Sequence, residues 1–188
     1  DTDGVVASLG SGTTFWIEYG LAANASYYRY AEAYNAGGAS SSTASLQYTF
    51  AAMPGALSLS DVSSFTIRAS WTDGGNSGGT LYFCEGSSTS VNGPFILNSG
   101  WISATDKYFI NLLSQSTYYF RVKARNFDGI ETGYTALGST ITVPGTPQTP
   151  TGFNGIATGT SIIIWSWTDN ASGEDGYRVK NDTDGVVA

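Results

Sequence analysis

Histidine is absent from this 188-residue chain, and cysteine occurs once, as Cys84. Without histidine the chain lacks the usual general base and the commonest metal ligand, so only carboxylates and tyrosines remain for a catalytic scheme. A single cysteine excludes a disulfide within the chain, and its apolar surroundings at residues 81–83 predict a buried small side chain. We therefore expect no enzyme, no cofactor and no metal site.

Positive charge and long apolar runs are also scarce. Lys and Arg number 8 against 15 Asp and Glu, and the formal net charge is −7. Such a chain offers no basic surface for a phosphate backbone. Apolar runs such as residues 162–165 are far shorter than the roughly 20 residues of a membrane-spanning helix. Neither nucleic-acid binding nor a membrane span is expected.

Glycine and aromatic residues are plentiful. The chain has 24 Gly, 14% aromatic residues and only 12% charged residues. This balance is typical of short strands that are joined by many turns, because aromatic side chains favour pleated surfaces and glycine favours turns. The composition predicts an all-β protein.

Two internal repeats organise the chain. The heptapeptide at residues 1–7 recurs without change at residues 182–188, which indicates a unit of 181 residues, or two domains of about 90 residues each. The tetrapeptide Ser-Trp-Thr-Asp occurs at residues 70–73 and again at residues 166–169, after an apolar strand in both places. These are equivalent points in two related domains.

The repeats carry a recognisable pattern of core residues. A Trp on the second strand is followed, much later in the domain, by a Leu and by a Tyr six residues further on. The members are Trp71, Leu112 and Tyr118 in one copy and Trp167, Leu21 and Tyr27 in the other. This pattern resembles the fibronectin type III domain over nearly the whole chain. The resemblance implies a β-sandwich in which the Tyr forms a tyrosine corner.

The resemblance divides the chain into three parts. Residues 54–146 form a complete fibronectin type III-like domain. Residues 1–53 are the last four strands of another such domain, and residues 147–188 are a Pro-rich linker with the first three strands of the next. We therefore predict tandem immunoglobulin-like sandwiches, with one complete domain flanked by two complementary partial domains. Arg29 departs from the pattern, because an inward apolar residue is expected there, and it leaves the register of that strand open.

Apolar residues also occupy the face that should be exposed to solvent. If Trp167 and Trp16 point inward, the outer faces of their strands carry five large apolar side chains, namely Phe15, Ile17, Tyr19, Ile162 and Ile164. A patch of several hundred Å² is about the most that a soluble monomer leaves exposed. We expect a neighbouring subunit or domain to cover it, unless the register is shifted by one residue or a linker folds over it.

Three short motifs have weaker meanings. Residues 75–79 satisfy G-x-S-x-G, but with no histidine to act as base they predict a plain loop. The sequons at Asn24, Asn170 and Asn181 allow N-glycosylation. Trp101, on the expected connection before the fifth strand, is the best candidate for stacking on a sugar.

These features favour a structural repeat of an extracellular or cell-surface filament, stalk or surface layer, whose partners are neighbouring copies of itself. The alternative is a carbohydrate-binding or adhesive module of a secreted polysaccharide-degrading enzyme or an adhesin. The alternative requires aromatic rings on an open face, whereas a filament repeat requires them to be covered by a neighbour.

Overall fold

The computed structural model describes residues 4–171 and 173–181, which form β-strands, turns and loops. The all-β prediction is confirmed. In this part of the chain no helix has the length and apolarity needed to cross a membrane. The heptapeptide at residues 182–188 lies outside the described residues, as do residues 1–3 of its first copy.

The strands, in chain order, are β1 Ser26–Arg29, β2 Glu32–Asn35, β3 Gly38–Ser41, β4 Ser45–Tyr48, β5 Gly55–Ala56, β6 Thr66–Thr72, β7 Leu81–Ser87, β8 Leu97–Ile102, β9 Asp106–Ile110, β10 Thr117–Arg125, β11 Thr135–Ile141, β12 Thr151–Gly159 and β13 Ile162–Thr168.

Strands β5 to β11 build one sandwich, which we call the central sandwich. One sheet has the order β5-β6-β9 and the other the order β11-β10-β7-β8, with antiparallel pairing throughout. The second strand of this domain, β6, lies beside its fifth, β9, as the resemblance implies. The central sandwich therefore has a fibronectin type III-like topology.

The core of the central sandwich follows from strict alternation in the two middle strands. In β6 and β10 every second residue is buried, which places one apolar row of each strand between the sheets. Trp71 is 1% exposed, and its ring lies 6.1 Å from that of Tyr82 on the opposite sheet. Cys84 is buried in β7, and burial raises the pKa of its thiol to about 12. The cysteine is a protonated core residue, as expected.

The strands outside the central sandwich form two-stranded sheets only. These are β1 with β4, β2 with β3, and β12 with β13. Residues in β12 and β13 are exposed on both faces, with Trp167 partly buried. A lone hairpin buries little apolar surface, because it has no second sheet to pack against. We call strands β1 to β4 with the residues before them the N-terminal half-sandwich, and the β12–β13 hairpin with the residues after it the C-terminal half-sandwich, after the predicted partial domains.

Candidate functional site

A tyrosine corner occurs twice in the chain. In the central sandwich the hydroxyl of Tyr118 accepts a hydrogen bond of 2.9 Å from the Leu113 amide. In the N-terminal half-sandwich the hydroxyl of Tyr27 accepts one of 2.8 Å from the Ala22 amide. Both bonds reach back five residues. The same device therefore fixes the turn before β10 and the turn before β1.

A threonine closes both turns in the same way. Thr142 Oγ1 accepts a hydrogen bond of 3.0 Å from the Ser116 amide, and Thr49 Oγ1 accepts one of 3.0 Å from the Ala25 amide. The residue before each amide, Gln115 or Asn24, has a left-handed backbone with φ of 51° or 47°. Residues 22–49 thus have the local structure of the second half of the central sandwich.

The C-terminal hairpin matches the first half of the central sandwich. Gly55 pairs with Thr72, and Thr151 pairs with Thr168, a shift of 96 residues in both strands. An Asx turn follows each pair, with Asp73 Oδ1 accepting the Gly75 amide at 2.9 Å. In the C-terminal hairpin Asp169 Oδ1 accepts a hydrogen bond of 3.0 Å from the Ala171 amide, and both residues are again 96 positions later. The C-terminal hairpin and its turn therefore match the first two strands of the central sandwich and the turn that follows them.

The inward face of this C-terminal half is aromatic. The Trp167 ring is tilted against Tyr177 at 5.4 Å, much as Trp71 is tilted against Tyr82. The Tyr177 hydroxyl also donates to Asp169. The face is not covered in the single chain, where the neighbouring Trp165 is 47% exposed.

The five residues predicted to form an outer apolar patch are also exposed. Their exposed fractions run from 55% to 81%, and the residues are Phe15, Ile17, Tyr19, Ile162 and Ile164. The single chain does not bring them together, because β13 pairs with β12 alone and residues 15–19 belong to no strand. A joint patch stays a prediction for the assembled protein.

A tight junction links the N-terminal half-sandwich to the central sandwich. Asn24, at the tyrosine corner, is fully buried. Its Nδ2 donates to Thr80 Oγ1 at 2.7 Å, and its Oδ1 accepts from the Phe127 amide at 2.9 Å. One side chain thus joins the turn between β6 and β7 to the turn between β10 and β11.

The connecting segment is fixed at the same junction. The side chain of Asn76 forms two hydrogen bonds with the backbone of Ala52. Its Oδ1 accepts from the Ala52 amide at 2.7 Å, and its Nδ2 donates to the Ala52 carbonyl at 2.9 Å. The rings of Tyr48 and Phe127 lie 5.3 Å apart. Because polar and aromatic contacts act together, the two units are held in one orientation at this junction.

The junction on the other side of the central sandwich is different. Gln115, the counterpart of Asn24, is exposed. The segment between Thr142 and Thr151 is longer than the one between Thr49 and Gly55, and it carries Pro144, Pro147 and Pro150. A Pro-rich segment is a semi-rigid spacer that does not require docking contacts. The two junctions therefore differ, and we call the second one, where Gln115 makes no buried contact like that of Asn24, the open junction.

Two of the sequence motifs fall at the tight junction. Ser77, from the G-x-S-x-G loop, donates its amide and its hydroxyl to the Ala23 carbonyl, both at 3.1 Å. Asn24 is a poor glycosylation site in the folded chain, because its amide is buried and bonded. Of the other two sequons, Asn170 donates to Thr149 and Thr151, and Asn181 is exposed.

Replacing Asn24 by glycine should loosen the tight junction. Glycine accepts the left-handed backbone but removes both side-chain hydrogen bonds, so docking should weaken by about 1–3 kcal/mol. We expect limited proteolysis within residues 50–54 to become roughly tenfold faster or more. Gln115→Gly is the matched control at the open junction and should leave cleavage at residues 50–54 unchanged. Equal effects of both variants would contradict the role given to Asn24.

Trp101 lies in β8 and not on a connection between strands, so its predicted location is wrong. Its ring packs 5.3 Å from that of Phe83, because the two residues are cross-strand partners. The Arg125 guanidinium lies 4.4 Å from the ring centroid, and the Lys123 ammonium lies 5.6 Å from it. The Trp101 ring therefore already makes aromatic and cation–π contacts within the central sandwich.

Several solved structures are similar to this chain. Domains from titin are 26% identical over 54% of this chain and 37% of theirs, with a TM-score of 0.41. Domains d3–d4 of the rat CD45 extracellular region are 19% identical over 69% and 73%, with a TM-score of 0.42. The FN1–FN3 domains of chicken CNTN1 are 18% identical over 66% and 45%, with a TM-score of 0.40. No protein-family model and no curated protein matches the sequence.

Proposed function

We propose that this chain is the structural repeat unit of a secreted or cell-surface filament, stalk or surface layer. Pairs of sandwiches would follow one another with a period of 181 residues. One observation supports the proposal: the tyrosine corner before β1 matches the one before β10, and the pairing of β12 with β13 matches that of β5 with β6. The following copy supplies the strands that the C-terminal half lacks.

The apolar surface of the two halves provides the driving force for completion. The C-terminal half exposes the inward rings of Phe153 and Trp165, and the N-terminal half exposes Trp16. Burial of such surface contributes about 25 cal/mol per Å². Completion by a covalently linked copy and completion by exchange between separate chains bury the same surface, so both give the same series of sandwiches.

We infer that the unit acts as a spacer and not as an enzyme. The tight junction at Asn24 fixes the direction of one pair of sandwiches, and the Pro-rich segment between β11 and β12 separates that pair from the next. The chain has no histidine to activate Ser77, and the Ser77 hydroxyl is bonded to the Ala23 carbonyl at the tight junction. The role we infer for the G-x-S-x-G loop is therefore docking and not catalysis.

The length of covalent tandems tests this function. Proteins of one, two and three 181-residue units should show a maximum dimension in small-angle X-ray scattering that rises by an equal step for each unit. A length that stays nearly constant as units are added would mean that the sandwiches collapse onto one another, and it would contradict a spacer.

The same tandems, applied to a glycan array, distinguish the carbohydrate-binding alternative. A spacer should bind no glycan. Specific binding that is lost in Trp101→Ala would favour the alternative, since Trp101 is the aromatic residue assigned to it.

A further inference from the structure

The N-terminal half-sandwich has an ion pair at the two positions where the central sandwich has a pair of aromatic rings. Phe109 on β9 and Phe120 on β10 are buried, with ring centroids 4.8 Å apart. The equivalent residues 91 positions earlier, at the offset of the two tyrosine corners, are Glu18 and Arg29. Glu18 Oε1 accepts a hydrogen bond of 2.7 Å from Arg29 Nη2. A polar contact therefore stands where the central sandwich has two packed rings.

Arg29 lies on the inward face of its strand. Along β1 and its flanks Tyr27 and Arg29 are partly buried, while Tyr28 and Tyr30 are exposed. The Arg29 guanidinium lies 5.3 Å from the centre of the Tyr27 ring. Tyr27 and Arg29 therefore share one side of the strand, the side that corresponds to the buried face of β10.

The ion pair is incompletely satisfied in the single chain. Among the described residues, Arg29 Nε is shielded from solvent and has no hydrogen-bond partner. Hydrogen bonding and the charge of Glu18 raise the pKa of Arg29, so the guanidinium stays charged. The free Nε and the flat guanidinium leave room for a further contact.

In the C-terminal half-sandwich a large side chain stands at a position where the central sandwich has a small one. In the central sandwich Ile67 pairs with Phe109, and Ala69 follows two residues later on the same buried face, which makes Ala69 a diagonal neighbour of Phe109. The equivalent of Ala69, 96 residues later, is Trp165. In a completed second sandwich a large ring would therefore lie beside the smaller ion pair, whereas in the central sandwich a methyl group lies beside the Phe109 ring.

We propose that the Glu18–Arg29 pair of one copy is enclosed against the Trp165 ring of the preceding copy, and that this contact selects the correct half-sandwich as partner. The inference rests on the proposed function, because it requires a second copy to complete the sandwich. A guanidinium stacks well on an indole face. The half that carries Ala69 would leave the ion pair beside an empty space, and Trp165 would overlap with Phe109 and Phe120.

A double-mutant cycle tests the enclosure. The protein is a covalent tandem in which residues 1–181 are followed by the full chain, and Glu18→Met and Arg29→Met are placed in the second unit. The readout is amide hydrogen exchange within residues 162–168 of the first unit. Each single variant leaves a buried charge without its partner and should accelerate exchange at least about 100-fold, whereas the double variant should stay within about tenfold of the unsubstituted tandem.

Outcomes separate this inference from the proposed function. One outcome is that the unsubstituted tandem is protected and the effects of the two single variants add in the double variant. That result would overturn the enclosed ion pair and leave the completed sandwich intact. No protection in the unsubstituted tandem would overturn both.

Partner selection has its own variant series. Glu18→Phe with Arg29→Phe in the second unit should accelerate exchange, since two rings would then compete with Trp165 for space. Adding Trp165→Ala in the first unit recreates the residue set of the central core and should restore protection at least about tenfold. Failure of that third substitution to restore protection would contradict size matching between the halves.

Discussion

Trp71→Ala should lower the free energy of unfolding of the central sandwich by about 3–5 kcal/mol. The indole is almost completely buried, and its ring packs against Tyr82 of the opposite sheet. Removing it leaves a cavity between the two sheets that rigid strands cannot close. A domain of this size is stable by about 5–15 kcal/mol, so one substitution should remove a large share of its stability. Urea denaturation followed by circular dichroism measures the change.

Trp16→Ala in the same chain is the matched control. Trp16 lies in the N-terminal half-sandwich and is 41% exposed in the single chain. Its removal should change the stability of the central sandwich by no more than about 0.5 kcal/mol. A loss with Trp16→Ala as large as that with Trp71→Ala would mean that the central sandwich does not fold as a unit of its own.

Trp167→Ala should have an effect that depends on the presence of a second copy. In the single chain Trp167 belongs to a hairpin without an opposing sheet, so the central sandwich should unfold as in the unsubstituted protein. In the covalent tandem, the same change in the first unit should destabilise the completed sandwich by about 3–5 kcal/mol, because Trp167 then takes the buried position of Trp71. Calorimetry should resolve the shifted transition.

The two central sandwiches of the tandem serve as the internal reference for that experiment. Their transitions should not move with Trp167→Ala, since distant sites in separate domains act additively. An unchanged thermogram in the tandem would show that the halves do not form a sandwich with Trp167 in its core.

Much of the fold follows from local sequence. Period-two alternation is enough to place β6 and β10 with their inward residues, because one-sided burial repeats every second residue. The spacing from Leu112 to Tyr118 was enough to suggest the corner, since the Tyr118 hydroxyl bonds within five residues of itself. Such features depend on neighbours that are close along the chain.

The junction could not be predicted in this way. Asn24 was noticed only as a sequon, because its partners Thr80 and Phe127 lie 56 and 103 residues away. Nothing in the local sequence marks a buried asparagine that links two domains. Its left-handed backbone also occurs in an exposed turn, at Gln115.

The sequence contains a partial signal for the ion pair. Arg29 stood out as a charge at an inward position, but its partner was not identified. Placing Trp16 inward also places Glu18 inward by the same period of two, so the sequence contained both members of the pair. The location of Trp101 was wrong because β8 pairs with β7 and extends to Ile102, and this pairing is not visible in local composition.

Amide hydrogen exchange in β13 tests the completed sandwich most directly. Residues 162–168 should exchange rapidly in the single chain and should become as protected as β6 in the first unit of a covalent tandem, since only then does a second sheet cover them. Equally rapid exchange in both proteins would contradict the claim that successive copies share a sandwich.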